Sequence, residues 1–524
     1  MHGRVKVKTT AEKEAERRAE LTRRAHQFAR ETDAIFTKRK NGELDEKMLQ
    51  DSQNLLMQNP DFYTVWNIRR ESFLSLAEIK NDDEMEKLYN NELALLLACL
   101  RINPKSYGVW CHRRWIMTHM KYPNWQHELD LCNKYLEYDS RNFHCWDHRR
   151  FVVAYTEGVT DVTELEYTMK KIKQTFSNFS AWHYRSKLLL KVNNNLEIPR
   201  KDSIWVKEEL DYIMNAIYTD PNDQSAWLYH KWLLGREEVT STICTLYVAK
   251  YAEHENSQIS VMVTWSLPLT VDEANKTVIT LDEKQLDCIW KNNHNNSYAS
   301  HIWVTEIQGI SGEPHVIHAG SKDHGSLQVH LEKGCNKAWV LSRDENMIKE
   351  KMAVELETLN TQKQLLDELY EIEPENKWLT LSQIYLGHAL NGVKPDYEFS
   401  EEDFDSLIEK LLTLDPKRKG YYCDLRSKII LERYTLNLIQ EPSYQQLRKI
   451  DLSKKQLSCL HLMHLYSHIT EIDLSKNELV NLDDCSPLYC LRVLIANDNL
   501  VKSLKNIQYL PNLQELLLKN NGIL

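Results

Sequence analysis

Apolar residues recur at helical spacing over most of this chain, and the spacing changes character twice. Leu93, Leu96, Leu97 and Leu100 fall on one helical face, as do Leu129, Cys132 and Leu136. Phe404, Leu407, Ile408, Leu411 and Leu412 repeat the pattern later. Between these stretches the period drops to two: Ile259, Val261, Val263 and Trp265 alternate with Ser260, Met262 and Thr264, which predicts a strand. Further short strands are predicted at Val278–Leu281, His301–Ile307, Leu327–Leu331 and Ala338–Leu341, separated by polar stretches. After Leu447 the pattern becomes a 22-residue repeat, with starts at Leu447, Ile469, Leu491 and Leu513 and with Asn477, Asn499 and Asn521 at the turn (Gln456 in the first copy).

The helical stretches carry a second repeat. Trp66, Trp110, Trp146, Trp182 and Trp227 stand 44, 36, 36 and 45 residues apart. Each follows a turn rich in Pro, Asp, Asn or Ser, as in Asn103-Pro-Lys-Ser-Tyr-Gly-Val-Trp110. Basic pairs follow the first three, Arg69-Arg70, Arg113-Arg114 and Arg149-Arg150; the fifth copy has His230-Lys231. Glu373-Pro-Glu-Asn-Lys-Trp378 reads as a sixth copy without the pair, and Tyr422 stands in for the Trp of a degenerate seventh. Each copy predicts a helix, a turn and a second helix carrying the Trp. One such hairpin cannot bury its own apolar stripe, so neighbours must stack. The expected fold is mainly α, a right-handed solenoid of helical hairpins over 1–243 and 343–442. An immunoglobulin-like β-sandwich is expected to be inserted at 244–342, and leucine-rich repeats at 443–524, without the polar cap such arrays need.

Composition narrows the function classes. The chain has 524 residues with a net charge of −10, so nothing in its overall charge draws it to nucleic acid. No apolar run is long enough to span a membrane, and the charged start lacks a secretory h-region. Eleven cysteines without a Cys-x-x-Cys pair read as reduced thiols of a cytoplasmic protein.

No Walker loop, hydrolase triad, HExxH helix or zinc-type cysteine pair is present. The candidate chemistry lies in the turns before the tryptophans. Lys105 and Tyr107 precede Trp110, and Arg141, Asn142 and His144 precede Trp146, in equivalent places of adjacent repeats. Cations at a helix N-terminus favour a phosphate or diphosphate. The six tryptophans, Trp378 included, are expected to be packing residues, and the recurring Arg pairs to bridge to acidic groups of a neighbouring helix or a partner.

The Pro, spacer, Trp, any two residues, Arg pattern of Asn103–Trp115, Asn142–Arg150 and Asp220–Trp227 resembles the repeats of the protein prenyltransferase α-subunit family. The two extra modules resemble the branch that serves Rab geranylgeranyltransferase (type II). The resemblance implies a heterodimer in which a β subunit carries Zn2+ and most of the lipid pocket. It implies transfer from geranylgeranyl diphosphate to C-terminal cysteines of Rab GTPases presented by a Rab escort protein. Lys105 then looks like the family's diphosphate-contacting lysine, with Tyr107, His144, Asn142 and Arg141 beside it. His2 is a possible contact to the partner's zinc, though a free terminal His is the plainer reading. The rival readings are a non-catalytic helical and leucine-rich scaffold and an α subunit of a CaaX-type prenyltransferase.

Overall fold

The computed structural model describes residues 11–193, 204–235, 240–253, 256–292, 298–308, 315–321, 324–348, 352–394, 397 and 399–523. The chain divides into two compact units, Met1–Leu196 and Glu197–Leu524.

The first unit is helical. It contains α1 (Ala11–Lys40), α2 (Glu46–Gln58), α3 (Tyr63–Ala77), α4 (Asp82–Ile102), α5 (Tyr107–His119), α6 (Trp125–Tyr138), α7 (Phe143–Val153), α8 (Asp161–Gln174) and α9 (Phe179–Val192). The second helix of each hairpin starts a few residues before its tryptophan. That spacing lets the buried indole N–H reach back to the carbonyl six residues earlier: Trp66 to Pro60 at 2.8 Å, Trp110 to Pro104 at 2.9 Å, Trp146 to Ser140 and Trp182 to Phe176 at 2.8 Å. The same carbonyls join neighbours. Ser106 Oγ donates to Pro60 O at 3.2 Å, Asn142 Nδ2 to Pro104 O at 3.0 Å and Asn178 Nδ2 to Ser140 O at 2.8 Å. Gly108 permits this close stacking, because a Cβ there would stand 2.9 Å from the Trp66 ring.

A buried acid locks each joint. Glu92, Glu128 and Glu164 lie eighteen residues before Trp110, Trp146 and Trp182. Glu128 accepts from Arg113 of the preceding repeat at 2.5 and 2.7 Å and from His148 of its own at 2.7 Å. Glu92 is gripped in the same way by Arg69 and His112, and Glu164 by Arg149. A charge buried this deeply persists only with such complete pairing.

The second unit opens with α10 (Ile204–Thr219) and α11 (Gln224–Leu234), where the Trp227 indole bonds Pro221 O at 2.8 Å. Strands follow: β1 (Ile243–Glu253), β2 (Asn256–Leu269), then α12 (Val271–Ala274), β3 (Val278–Leu281), β4 (Lys284–Leu286), β5 (Ser300–Ile307), β6 (His315–Ser321), β7 (Gly325–Leu331) and β8 (Lys337–Leu341). They form two antiparallel sheets, ordered β5-β2-β1-β8 and β4-β3-β6-β7. One core joins them, with Val248, Val261 and Trp265 from the first sheet and Ile279, Ile317 and Val329 from the second.

Helices resume with α13 (Leu356–Ile372), α14 (Lys377–Val393), α15 (Glu401–Leu414) and α16 (Lys419–Gln440). The chain returns where it left: Ala353 N donates to Leu234 O at 3.2 Å, and Asn376 Nδ2 to Pro221 O at 2.7 Å. The latter is the same stitch that Asn142 and Asn178 make, so α14 stacks on α11 as the next repeat.

That register corrects one expectation. Asn376 stands where Asn142 stands, so the tryptophan position of the sixth repeat belongs to Thr380, which is fully buried. Trp378 is two residues out of register and only half-buried, with Arg418 over its ring at 4.7 Å. Counting back eighteen residues from Thr380 gives Gln362, which meets His230 at 2.9 Å, a neutral version of the Arg–Glu joint.

The chain ends in a parallel sheet, β9 (Lys449–Asp451), β10 (Glu471–Asp473), β11 (Val493–Ile495) and β12 (Glu515–Leu517), each strand 22 residues after the last. The turn asparagines hold it: Asn477 Nδ2 donates to Leu452 O and Leu474 O at 2.9 and 2.8 Å, and Asn499 to Leu474 O at 2.9 Å. Ile450, Ile472 and Leu494 point into its core, to which α16 contributes Leu431.

Candidate diphosphate-facing site

Adjacent residues on a helix point about 100° apart, and the basic pairs use this. Arg69, Arg113 and Arg149 turn inward to the buried acids, as expected of a scaffold. Their neighbours turn outward. Arg114 and Arg150 border a cavity of about 660 Å³ together with Tyr107, Arg141, His144 and His183. Asp147 holds both arginines in place, accepting from each at 3.1 Å.

Tyr107, Phe143 and Phe179 are the first residues of α5, α7 and α9, and all three are exposed at the cavity rim. His144 is buried between two of them, its ring 4.2 Å from Tyr107 and edge-on to it, and 3.9 Å from Phe143. Burial, and after it the Lys105 charge, lower the basicity of the His144 imidazole. Burial and Arg150 do the same to His183. Both rings are therefore neutral N–H donors near pH 7.

Lys105 is not part of the cavity wall. Its ammonium is 61% exposed and pairs with Asp139 at 3.1 Å. An exposed pair of this kind contributes about 0–1 kcal/mol, so a more highly charged anion can draw the lysine away. The other Asp139 oxygen accepts Arg141 N at 3.1 Å and fixes that turn. Arg141 has no ion pair among the described residues and is the cation most available to a ligand.

Asn142, expected as a ligand contact, is spent on structure. Its Oδ1 caps α7 by accepting His144 N and Cys145 N at 3.1 and 3.3 Å, while its Nδ2 bonds Pro104 O. The α7 terminus is thereby largely satisfied, and the attraction for anions comes from side chains. Sequence reasoning misses Arg114 and Arg150, whose signal is their place as the second residue of a basic pair, and His183, which directly follows Trp182.

His2 lies outside the described residues. Among the described residues no three His, Cys, Asp or Glu side chains are grouped to hold a metal ion, so the residues present do not fit a zinc site. All eleven cysteines are free thiols. Among the described residues no helix is long and apolar enough to cross a membrane. In the second unit a cavity of about 730 Å³ lies on the helix faces around Trp227, Trp378, Tyr385 and Tyr421. Its cations rest on rings, Lys231 over Tyr385 at 3.9 Å and Arg418 over Trp378, which makes it a poorer anion site.

A family model described as "Protein prenyltransferase alpha subunit repeat" matches residues 89–120, 125–156, 162–192 and 206–237, which fall on the helix pairs α4–α5, α6–α7, α8–α9 and α10–α11. The "Geranylgeranyl transferase type-2 subunit alpha" of Mus musculus is 38% identical over 544 residues, spanning 100% of this chain and 92% of that protein. The protein of that name in Homo sapiens is 37% identical over 542 residues, with the same coverage. That of Dictyostelium discoideum is 39% identical over 236 residues, 45% of this chain and 75% of its own length. A solved structure titled "Candida albicans protein geranylgeranyltransferase-I complexed with GGPP" aligns at 23% identity with a TM-score of 0.33, over 40% of this chain and 66% of that one.

Proposed function

The chain belongs to the geranylgeranyl transferase type-2 α-subunit family, and from that premise we propose that it is the diphosphate-facing half of a heterodimeric Rab geranylgeranyltransferase. Paired with a β subunit, it serves transfer of a geranylgeranyl group from geranylgeranyl diphosphate to C-terminal cysteines of Rab GTPases. A Rab escort protein presents them. The β subunit supplies the Zn2+ and the lipid pocket, and no zinc site is asked of this chain.

In the transfer a cysteine thiolate, its proton already lost to solvent, bonds through sulfur to C1 of the isoprenoid while the C1–O bond breaks and the diphosphate leaves with the electron pair. Negative charge grows on the leaving oxygens, and fixed cations that meet it lower the barrier. Arg141 offers a guanidinium with no ion pair among the described residues, and Lys105 swings from Asp139 to join it. Neutral His144 and the Tyr107 hydroxyl donate hydrogen bonds at the same rim. Asn142 acts through the turn, holding Arg141 and His144 in place. None of these groups takes a proton from the thiol.

The helical hairpins are a prenyltransferase-type solenoid, interrupted at 244–342 by an immunoglobulin-like sandwich and followed from 443 by leucine-rich repeats. Both extra modules lie outside the chemistry. The Dictyostelium relative, whose 236 matched residues are 75% of its length, is about 315 residues long, too short to hold the whole of this architecture.

The observation that carries the reading is the cavity where Arg141, His144 and Tyr107 converge in a member of this family. Its test is Lys105→Ala and Arg141→Ala in the reconstituted dimer. Each is expected to lower kcat by about tenfold or more, the scale of one lost charge-assisted contact, with thermal stability unchanged. Wild-type turnover in both variants would remove the clamp role.

A further inference from the structure

Three cations gather at the junction of the inserted sheets and the C-terminal parallel sheet, none of them with an ion-paired carboxylate among the described residues. Arg448 and Arg492 occupy the same place in the 22-residue repeat, just before β9 and β11, with Thr470 between them. Thr470 N donates to Arg448 O at 2.8 Å and Arg492 N to Thr470 O at 2.9 Å. Two strand spacings separate the arginine backbones by about 10 Å.

The third cation comes from the insert. In the β1–β8 register Lys337 lies opposite Ala249 and Trp339 opposite Tyr247, so Lys337 and Trp339 share a face. Tyr247, Ala249 and Cys490 pack in one cluster with Trp339 and Tyr489. Arg492 follows Cys490 by two residues, and its charge, like that of Arg448, acts on Lys337. Arg448 sits over Trp339, its guanidinium carbon 3.5 Å from the ring centroid, and the indole N–H is tied to Gln445 O at 2.9 Å. A guanidinium held this way is fixed in place while its N–H edge stays open to an oxyanion.

None of the three has an ion pair among the described residues, although the chain as a whole carries a net charge of −10. Behind the effect of partial burial, Arg492 and Arg448 both depress the basicity of Lys337, so the cluster repels itself and gains when an anion enters. On the neighbouring solvent face of the sheet Lys449 pairs with Glu471 at 2.5 Å, which leaves Asp451 and Asp473 as carboxylates with no ion pair among the described residues.

We propose that Arg448, Arg492 and Lys337 form a binding site for a phosphate monoester dianion carried on a partner protein's side chain, with basic residues flanking the phosphate to meet the acidic strands. A flat anionic membrane would be repelled by those same carboxylates.

The test uses the full chain with its β subunit and a fluorescent peptide carrying one phosphoserine between lysines, read by anisotropy. The phosphopeptide binds saturably, inorganic phosphate competes, and the serine counterpart binds at least about tenfold more weakly, the difference expected for losing charge-assisted bonds. The Arg448→Gln/Arg492→Gln variant loses this preference while geranylgeranyl transfer stays at the wild-type rate, which shows that the variant is folded. The cavity near Arg141 is common to both proteins and cancels in the comparison. Equal binding of the two peptides, an unchanged preference in the variant, or loss of binding to phosphatidylserine vesicles rather than to the peptide would each overturn the assignment.

Discussion

Glu128→Gln tests the joint on which the site's geometry depends. Glu128 is 1% exposed and Arg113 3% exposed, so solvent screens neither. Burial alone would raise the Glu128 carboxyl; the Arg113 guanidinium, with the His148 hydrogen bond, outweighs it and holds the group at about 2, against the ordinary 4.5 of a free glutamate. At 1.36 kcal/mol per pH unit that difference amounts to roughly 3 kcal/mol. Leaving a buried guanidinium without its acid costs about 3–5 kcal/mol by the independent route of mutational experience. The two figures agree. The glutamine keeps the volume, so the loss is electrostatic. In a chain of several modules a single unfolding transition is a poor readout, and hydrogen exchange of the α6 and α7 amides is a better one. Exchange there is expected to quicken by about two powers of ten. Arg114, next to Arg113 on the same helix, would shift with it, so turnover should fall as well. Arg113→Leu/Glu128→Leu, which removes both charges, should recover much of the protection, because an apolar pair replaces an ion pair at little cost. Exchange quickened by less than about tenfold in Glu128→Gln, or a double variant worse than the single one, would refute the reasoning.

Two further predictions follow from the second unit. Burial lowers the His230 imidazole to about 4 from 6.5, so the folded chain keeps it neutral while the unfolded chain takes up a proton below 6.5. Stability at α11 is therefore complete above that pH and is lost as pH falls toward 4, by up to roughly 3 kcal/mol; His230→Asn should flatten the pH profile of α11 amide exchange, and an unchanged profile would contradict the assignment. Excising residues 240–348 behind a short Gly-Ser link should preserve pairing with the β subunit and transfer to Rab, because Ala353 already bonds Leu234. Tyr444 and Leu465, which the insert covers, should make that variant less soluble, and loss of the dimer would show the insert to be part of the scaffold.

Much of this molecule is legible in its sequence where one spacing controls one contact. Five tryptophans at repeat intervals gave five identical indole-to-carbonyl bonds, and alternation over 259–265 gave the long strand β2. The sixth repeat misled because a tryptophan is conspicuous and a stitching asparagine is not: Asn376 sets the register, and Trp378 is a bystander. β6, His315–Ser321, escaped notice because a buried histidine, His315, opens its inward face and apolar Val316 stands on its outward one, which blurs the alternation. The acids eighteen residues before each tryptophan were also in plain view, but their value appears only when burial shows that Arg113 needs a counterion. At the candidate site the turns singled out in the sequence border one cavity, but not every side chain named there faces it. Asn142 has the right place and the wrong job, whereas Arg114 and Arg150 went unseen because neighbouring residues of one pair face opposite ways.

The central claim is that this chain faces the diphosphate but cannot complete the reaction without a second subunit. The direct measurement is transfer of labelled geranylgeranyl from its diphosphate to an escort-presented Rab, with the purified chain alone and after adding the zinc-loaded β subunit. The account predicts no transfer by the chain alone and full transfer by the pair. Robust transfer by the isolated chain would contradict it.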